Sequence, residues 1–192
     1  ALAQELATRS FPFTLRFIGF GGEELGLLGS RRYVDTLSRE EQGNIIAMIN
    51  LDVVAGSAPL EVAGDADLAA RLQALDRGLA FRPLHPNTVS DHVTFIRARV
   101  PAVILSTPGV SVVHTPLDTL ERIHVRPLVL AMELTLGYLA ALAEGGDSSA
   151  PAKASLPASS VAVPNTVPWQ SPPPWRNSIP PEGQGPGQAR LL

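Results

Sequence analysis

The chain has 192 residues, of which 45% are hydrophobic and 17% charged, enough apolar material for one ordinary globular domain with its own core. A formal charge of -3, with no run of Lys or Arg that could track a phosphate backbone, gives no expectation of a nucleic-acid partner. The absence of cysteine excludes disulfides, thiolate metal sites and a cysteine nucleophile together, so any metal must be held by oxygen and imidazole.

The chain opens at Ala1 without Met, on a stretch to Thr8 whose apolar positions fall at helical spacing. It lacks the basic start and apolar core of a secretory signal, and it reads as the middle of a helix, so an upstream segment is expected. Phe13 to Phe20 alternates and then runs apolar as a sheet strand does, and Gly21-Gly22 ends it. Glu24 to Leu37 returns to helical spacing, with acids in the first turn and Arg31 and Arg32 later. A polar piece, Ser38 to Gly43, leads into Ile45 to Val54, apolar enough for an inner strand covered on both faces.

Leu60 to Ala63 is a brief strand candidate, and Asp65 or Asp67 can cap a helix over Leu68 to Leu79. Ser90 or Asp91 can cap a helix running through Arg97, and Pro101 precedes another buried strand, Ala102 to Ser106. A Gly-containing loop and His114-Thr115-Pro116-Leu117-Asp118 follow, then a long helix from about Val125 to Glu144. Its apolar run, Leu128 to Leu142, is interrupted by Glu133 and is too short to span a bilayer, so a soluble domain is expected. Strands alternating with helices predict an α/β layered domain over residues 1–144. From residue 145 the composition shifts to Pro, Ser, Gly and Ala, with ten of the 18 prolines in the last 48 residues, and 145–192 is read as a disordered tail. Trp169 and Trp175 within it have no assigned role.

Four positions carry candidate chemistry. Glu23 and Glu24 stand where a strand hands over to a helix, the edge at which ligands bind in open α/β sheets. Adjacent acids at such an edge raise each other's pKa unless a cation compensates, so a metal on one leaves the other free to take a proton. The competing account is that both acids favour the first helical turn through its dipole. Asp52 ends the second apolar run, where a carboxylate needs a partner, salt bridge or metal. His114 follows the third strand, whereas His85 and His124 read as merely exposed or hydrogen-bonded. If the three strands are parallel neighbours, Glu24, Asp52 and His114 share one sheet edge, and that donor set suits zinc.

Taken together, Phe20-Gly-Gly-Glu-Glu-Leu-Gly-Leu-Leu-Gly-Ser30 with Tyr33-Val34, then Asn50-Leu51-Asp52, Ser90-Asp91-His92 and His114-Thr115-Pro116-Leu117-Asp118-Thr119, resembles the di-zinc aminopeptidase family. That family, metallopeptidase family twenty-eight, includes leucyl aminopeptidases, glutamate carboxypeptidases and glutaminyl cyclases, and the likeness covers about Ala1 to Glu144. It implies a three-layer αβα sandwich around a mixed, mostly parallel sheet, incomplete on its N-terminal side. It also implies two zinc ions in the complete domain and a peptide substrate. By resemblance Glu23 is the general base, Glu24 and His114 hold one zinc, and Asp52 holds the other. Ser90, Asp91 and His92 lie close to the site as supporting or substrate-lining groups, and Asp118 orients the His114 loop or caps the next turn.

Two departures qualify the likeness. The family's upstream His and bridging Asp are absent from this chain, leaving fewer than the three protein ligands a catalytic zinc normally has. Val112-Val113 stands where several relatives place a Tyr that helps bind the oxyanion. The expectation is therefore weak metal binding and little peptidase activity for this polypeptide alone, with an active full-length product. A non-catalytic peptidase-like domain, and carboxypeptidase or glutaminyl cyclase activity on the same edge, remain the alternatives.

Overall fold

The computed structural model describes residues 2–82 and 89–145; His85, Trp169, Trp175 and the predicted tail beyond Gly145 lie outside the described residues. In chain order the elements are α1 (Leu2–Leu6), α2 (Leu28–Thr36), α3 (Arg39–Gly43), β1 (Met48–Leu51), β2 (Glu61–Gly64), α4 (Ala66–Leu75), β3 (Ala80–Arg82), α5 (His92–Arg97), β4 (Ala102–Ser106) and α6 (Val125–Ala143). A 3-10 turn occupies Leu120–Arg122.

The apolar run after Pro101 becomes β4, the strand that organises the sheet. The strand order is β1-β4-β2-β3. β1 pairs parallel with β4 from Met48 opposite Ala102 to Leu51 opposite Leu105, β2 pairs parallel with β3, and β2 pairs antiparallel with β4. Side chains alternate across a strand, so β4 feeds two cores. Val103 and Leu105 pack with Leu60, Val62, Leu72, Leu134 and Tyr138, on the side of α4 and α6. Ala102 joins Val34, Phe95 and Val100, with Phe20 and Tyr33 against them, on the side of α2 and α5. Helices thus cover both faces of a mixed sheet, the α/β sandwich expected.

Several expectations need correcting. Phe13 to Phe20 forms no strand and pairs with none among the described residues, and Phe17 and Ile18 are exposed. Apolar alternation supplies strand propensity, while a strand needs a hydrogen-bonding neighbour, and the edge of β1 away from β4 carries none among the described residues. Two contacts anchor the segment to α2 and α5: the Phe20 ring lies 5.8 Å from that of Tyr33 and 6.0 Å from that of Phe95, and the Arg16 guanidinium donates to the Tyr33 hydroxyl at 2.8 Å. β1 is accordingly an edge strand in this sheet rather than an inner one, and Leu51 is exposed.

The polar piece after Ser38 is the helix α3, closed by a reciprocal capping box between Ser38 and Glu41. The helix predicted over Leu68 to Leu79 runs Ala66–Leu75, with Asp65 and not Asp67 accepting from the Leu68 N–H at 2.9 Å. Its predicted last turn is instead the turn into β3. α6 spans 19 residues, longer than the apolar run Leu128 to Leu142 within it, and by length and composition alone it could cross a membrane. Its inner side, Ala131, Leu134, Thr135, Tyr138 and Leu139, is nevertheless buried, while Val125, Leu128 and Val129 are exposed.

Candidate active site

The glycine pair after Phe20 opens a tight turn. Gly22 has φ +68, Gly26 φ +98 and Leu27 φ +62, left-handed conformations that no helix can contain, so α2 begins at Leu28 and not at Glu24. The Gly22 carbonyl accepts from the N–H groups of Leu25 and Leu28, and the Glu23 carbonyl from those of Gly26 and Leu27. Both acids therefore sit on the turn, outside the first turn of α2, which removes the account in which they serve only the helix dipole. The turn is drawn onto the helix at Gly29, whose N–H donates to the Gly21 carbonyl at 2.9 Å. A Cβ at Gly29 would lie 2.6 Å from that oxygen, so only glycine fits. Below it, buried Ser30 packs its hydroxyl 3.2 Å from that of Thr94, tying α2 to α5.

Asp52 is the first residue beyond β1, half-buried. The Ser90 hydroxyl donates to its Oδ2 at 2.7 Å and accepts from the Asn50 side-chain amide at 2.7 Å, so one carboxylate oxygen is fixed from two elements. This corrects the helix-cap expectation for Ser90: neither its side chain nor that of Asp91 caps α5, whose first bonds run to the Ser90 and Asp91 carbonyls. Sequence reasoning quoted Asn50 within a motif but gave it no role; the signal was an amide two residues before the aspartate, on the same face of a strand.

His114 also has a left-handed backbone, φ +64, and its Nε2 lies 2.7 Å from Glu24 Oε1. These residues come from opposite ends of the domain sequence, and their side chains are two-thirds exposed. An exposed ion pair contributes about 0–1 kcal/mol, whereas a non-glycine residue held left-handed costs roughly 1–2 kcal/mol, so stability does not account for the arrangement. The loop around it is held by Thr115, whose hydroxyl donates to the Val112 carbonyl at 2.6 Å and accepts from the Leu117 N–H at 3.2 Å. The Asp118 carboxylate is exposed and makes no hydrogen bond among the described residues, whereas Thr115 makes both of those in the loop.

Electrostatics joins these pieces. Burial, followed by the nearby charges of Glu24 and Asp52, a hydrogen bond with Glu24 and the charge of Asp91, pushes the Glu23 carboxyl up to about 7. His92 is fully buried and both its ring nitrogens lack partners among the described residues, as does Asp91 Oδ1. Burial lowers the His92 pKa to about 4, against the opposing pull of Asp52. The unfolded chain thus takes up a proton on this imidazole near pH 6.5 that the folded chain refuses until about pH 4. The His92 contribution to stability should fall as pH drops through that window, by up to about 3 kcal/mol, while the raised Glu23 carboxyl acts in the opposite sense between about pH 4.5 and 7. Urea titrations of the parent and of His92→Phe at pH 7 and pH 4.5 isolate the imidazole: the variant should lose less stability, or gain more, than the parent between the two pH values.

The sheet explains which site residues meet. β1 and β4 are parallel and end in register, so Asp52 and the segment leading to His114 leave the same edge. The Phe13 to Phe20 segment is unpaired, yet its following turn still delivers Glu24 to His114. Among the described residues no group of three or more His, Cys, Asp or Glu side chains stands close enough to hold a metal. The pair Glu24 and His114, carboxylate against imidazole, fits zinc in donor chemistry, and Asp52 offers a separate carboxylate oxygen.

Residues 1–139 match the model of peptidase family M28. The aminopeptidase YwaD of Bacillus subtilis is 36% identical over 138 residues, covering 62% of this chain and 30% of that protein. The structure of BSAP, a zinc aminopeptidase from Bacillus subtilis, superposes with a TM-score of 0.64 at 30% identity, over 74% of this chain and 38% of that one. An aminopeptidase from Aneurinibacillus sp. strain AM-1 gives a TM-score of 0.63 at 29% identity, over 74% of this chain and 36% of that one. The chain therefore spans about a third of the length of these relatives. Because the family model matches residues 1–139 of the 192, this chain belongs to peptidase family M28.

Proposed function

We propose that this edge belongs to a zinc-dependent exopeptidase, an aminopeptidase in its substrate class, with Glu23 as general base, Glu24 and His114 as ligands of one ion and Asp52 as a ligand of a second. The observation that carries the proposal is the contact between Glu24 and His114 beside a carboxyl raised to about 7. Aminopeptidase is favoured over carboxypeptidase or glutaminyl cyclase because the relatives matched at 30% identity or more are named aminopeptidases.

Bound zinc would supply Lewis acidity toward the peptide carbonyl and the attacking water. Glu23 takes the proton of that water as its oxygen bonds to the carbonyl carbon, then gives it to the amine as the C–N bond breaks. Partial burial also raises the Glu23 carboxyl, the direction that suits a group which must both take and return a proton near neutral pH. Ser90 and Asn50 hold Asp52 in one orientation, and Thr115 holds the backbone that presents His114.

A peptidase-like domain without catalysis is the second reading, favoured by the missing third ligand beside Glu24 and His114 among the described residues. The two separate on a single experiment, even at the slow rate that an incomplete ligand set allows: hydrolysis of an aminoacyl anilide above the zinc-only blank, abolished by a chelator, restored by zinc and lost in Glu23→Gln, supports the first, and a rate no higher than the zinc-only blank supports the second. The donor count also sets the metal affinity. Two protein ligands for one ion and one for the other should give weak zinc heats in calorimetry on the 192-residue chain. Tight uptake of two ions would contradict this ligand assignment.

A further inference from the structure

Asp52 is held at its carboxylate by Ser90, but its backbone is held by something else. The residue after it, Val53, has φ +53, a left-handed conformation that a β-branched side chain rarely accepts. Such outliers persist only where the surroundings impose them. Here the imposition comes from Thr107, which is almost fully buried.

The ladder between β1 and β4 continues past both strand ends: the Asp52 N–H donates to the Leu105 carbonyl at 3.3 Å and the Thr107 N–H donates to the Val53 carbonyl at 2.9 Å. The Thr107 hydroxyl donates to the same Val53 carbonyl at 2.5 Å and accepts from the Gly56 N–H at 2.9 Å. One side chain thereby closes the turn from Val53 to Gly56 on itself. We infer that Thr107 is a positioning residue for Asp52: by clamping the strained Val53 turn to the end of β4, it aims the aspartate carboxylate at the metal edge.

The inference rests on Asp52 being a metal ligand, so the test must separate the two. Groups that orient a ligand typically account for about 10- to 100-fold in metal affinity. Zinc affinity of the 192-residue chain is measured by competition with a chromophoric chelator, beside the melting temperature, for the parent, Thr107→Val, Thr107→Ser, Val53→Gly and Asp52→Asn. Thr107→Val keeps the shape and loses the hydroxyl, and affinity should fall about 10- to 100-fold. Thr107→Ser restores the hydroxyl and should restore parental affinity.

Val53→Gly guards against a Thr107 variant that fails to fold. Glycine relieves the left-handed strain but frees the turn to sample other conformations, so the melting temperature should hold while the aspartate is less firmly aimed and affinity falls. A purely structural clamp would lower the melting temperature of Thr107→Val and leave zinc affinity untouched in both variants, and that result overturns the inference. Parental affinity in Asp52→Asn, or no zinc uptake by the parent, would instead overturn the ligand assignment beneath it.

Discussion

Glu23→Gln should lower the rate of aminoacyl anilide hydrolysis at saturating zinc by about 10²- to 10⁴-fold, the range a positioned general base contributes. The fold should not suffer. Glu23 is half-buried among Glu24, Asp52 and Asp91, so a neutral amide of the same shape removes a source of repulsion. Its melting temperature should match or exceed that of the parent, and zinc uptake should persist because Glu24, Asp52 and His114 are untouched. Stopped turnover in a well-folded, zinc-binding protein is what distinguishes a base from a structural acid; full activity in this variant would end that assignment.

Leu72→Ala should have the largest effect on stability. Leu72 is fully buried in the core between α4, the sheet and α6, beside Val62, Leu79, Leu105 and Tyr138. Truncating a leucine at such a position costs about 2–5 kcal/mol, a transfer loss plus a cavity the neighbours only partly fill. The melting temperature should drop on the order of 10 °C. Leu25→Ala is the matching control: Leu25 is 75% exposed, and its truncation should change stability by less than about 0.5 kcal/mol.

Much of this architecture can be read along the chain, and the failures share a cause. Ala102–Ser106 matches expectation because a Pro boundary and four consecutive apolar residues describe a strand buried on both faces. Phe13 to Phe20 carries as convincing a pattern, but pairing depends on a neighbour that no local pattern encodes. β1 was misplaced as an inner strand for the same reason: apolar content reports burial, not position in the strand order. β3 is three residues long and follows a turn, too short for period-two alternation to register. The capping box at Ser38 and Glu41, by contrast, is written in the sequence as a serine with a glutamate three residues on, within what reads by composition only as a polar piece.

The site divides similarly. Glu24 meets His114 at 2.7 Å although the condition expected to bring them together, three parallel neighbouring strands, is not met, since Phe13 to Phe20 pairs with no strand among the described residues. The helix start was placed too early because acidic residues ahead of an apolar stripe mimic a first turn, while the left-handed backbone of Gly22, Gly26 and Leu27 shows only in three dimensions. Ser90 or Asp91 is expected to cap the helix, and the resemblance also sets Ser90 close to the site; the hydroxyl turns to Asp52 because a half-buried carboxylate competes successfully for a donor. Thr107 had no signal in the sequence, since its importance comes from contact with a turn more than 50 residues away.

The most direct test of the metal edge is anomalous scattering at the zinc absorption edge from crystals of the zinc-saturated protein. The account predicts a peak about 2.0–2.2 Å from both His114 Nε2 and a Glu24 carboxylate oxygen, with those two side chains moved apart to admit it. Ordered zinc elsewhere, with Glu24 and His114 still in direct contact at 2.7 Å, would contradict it.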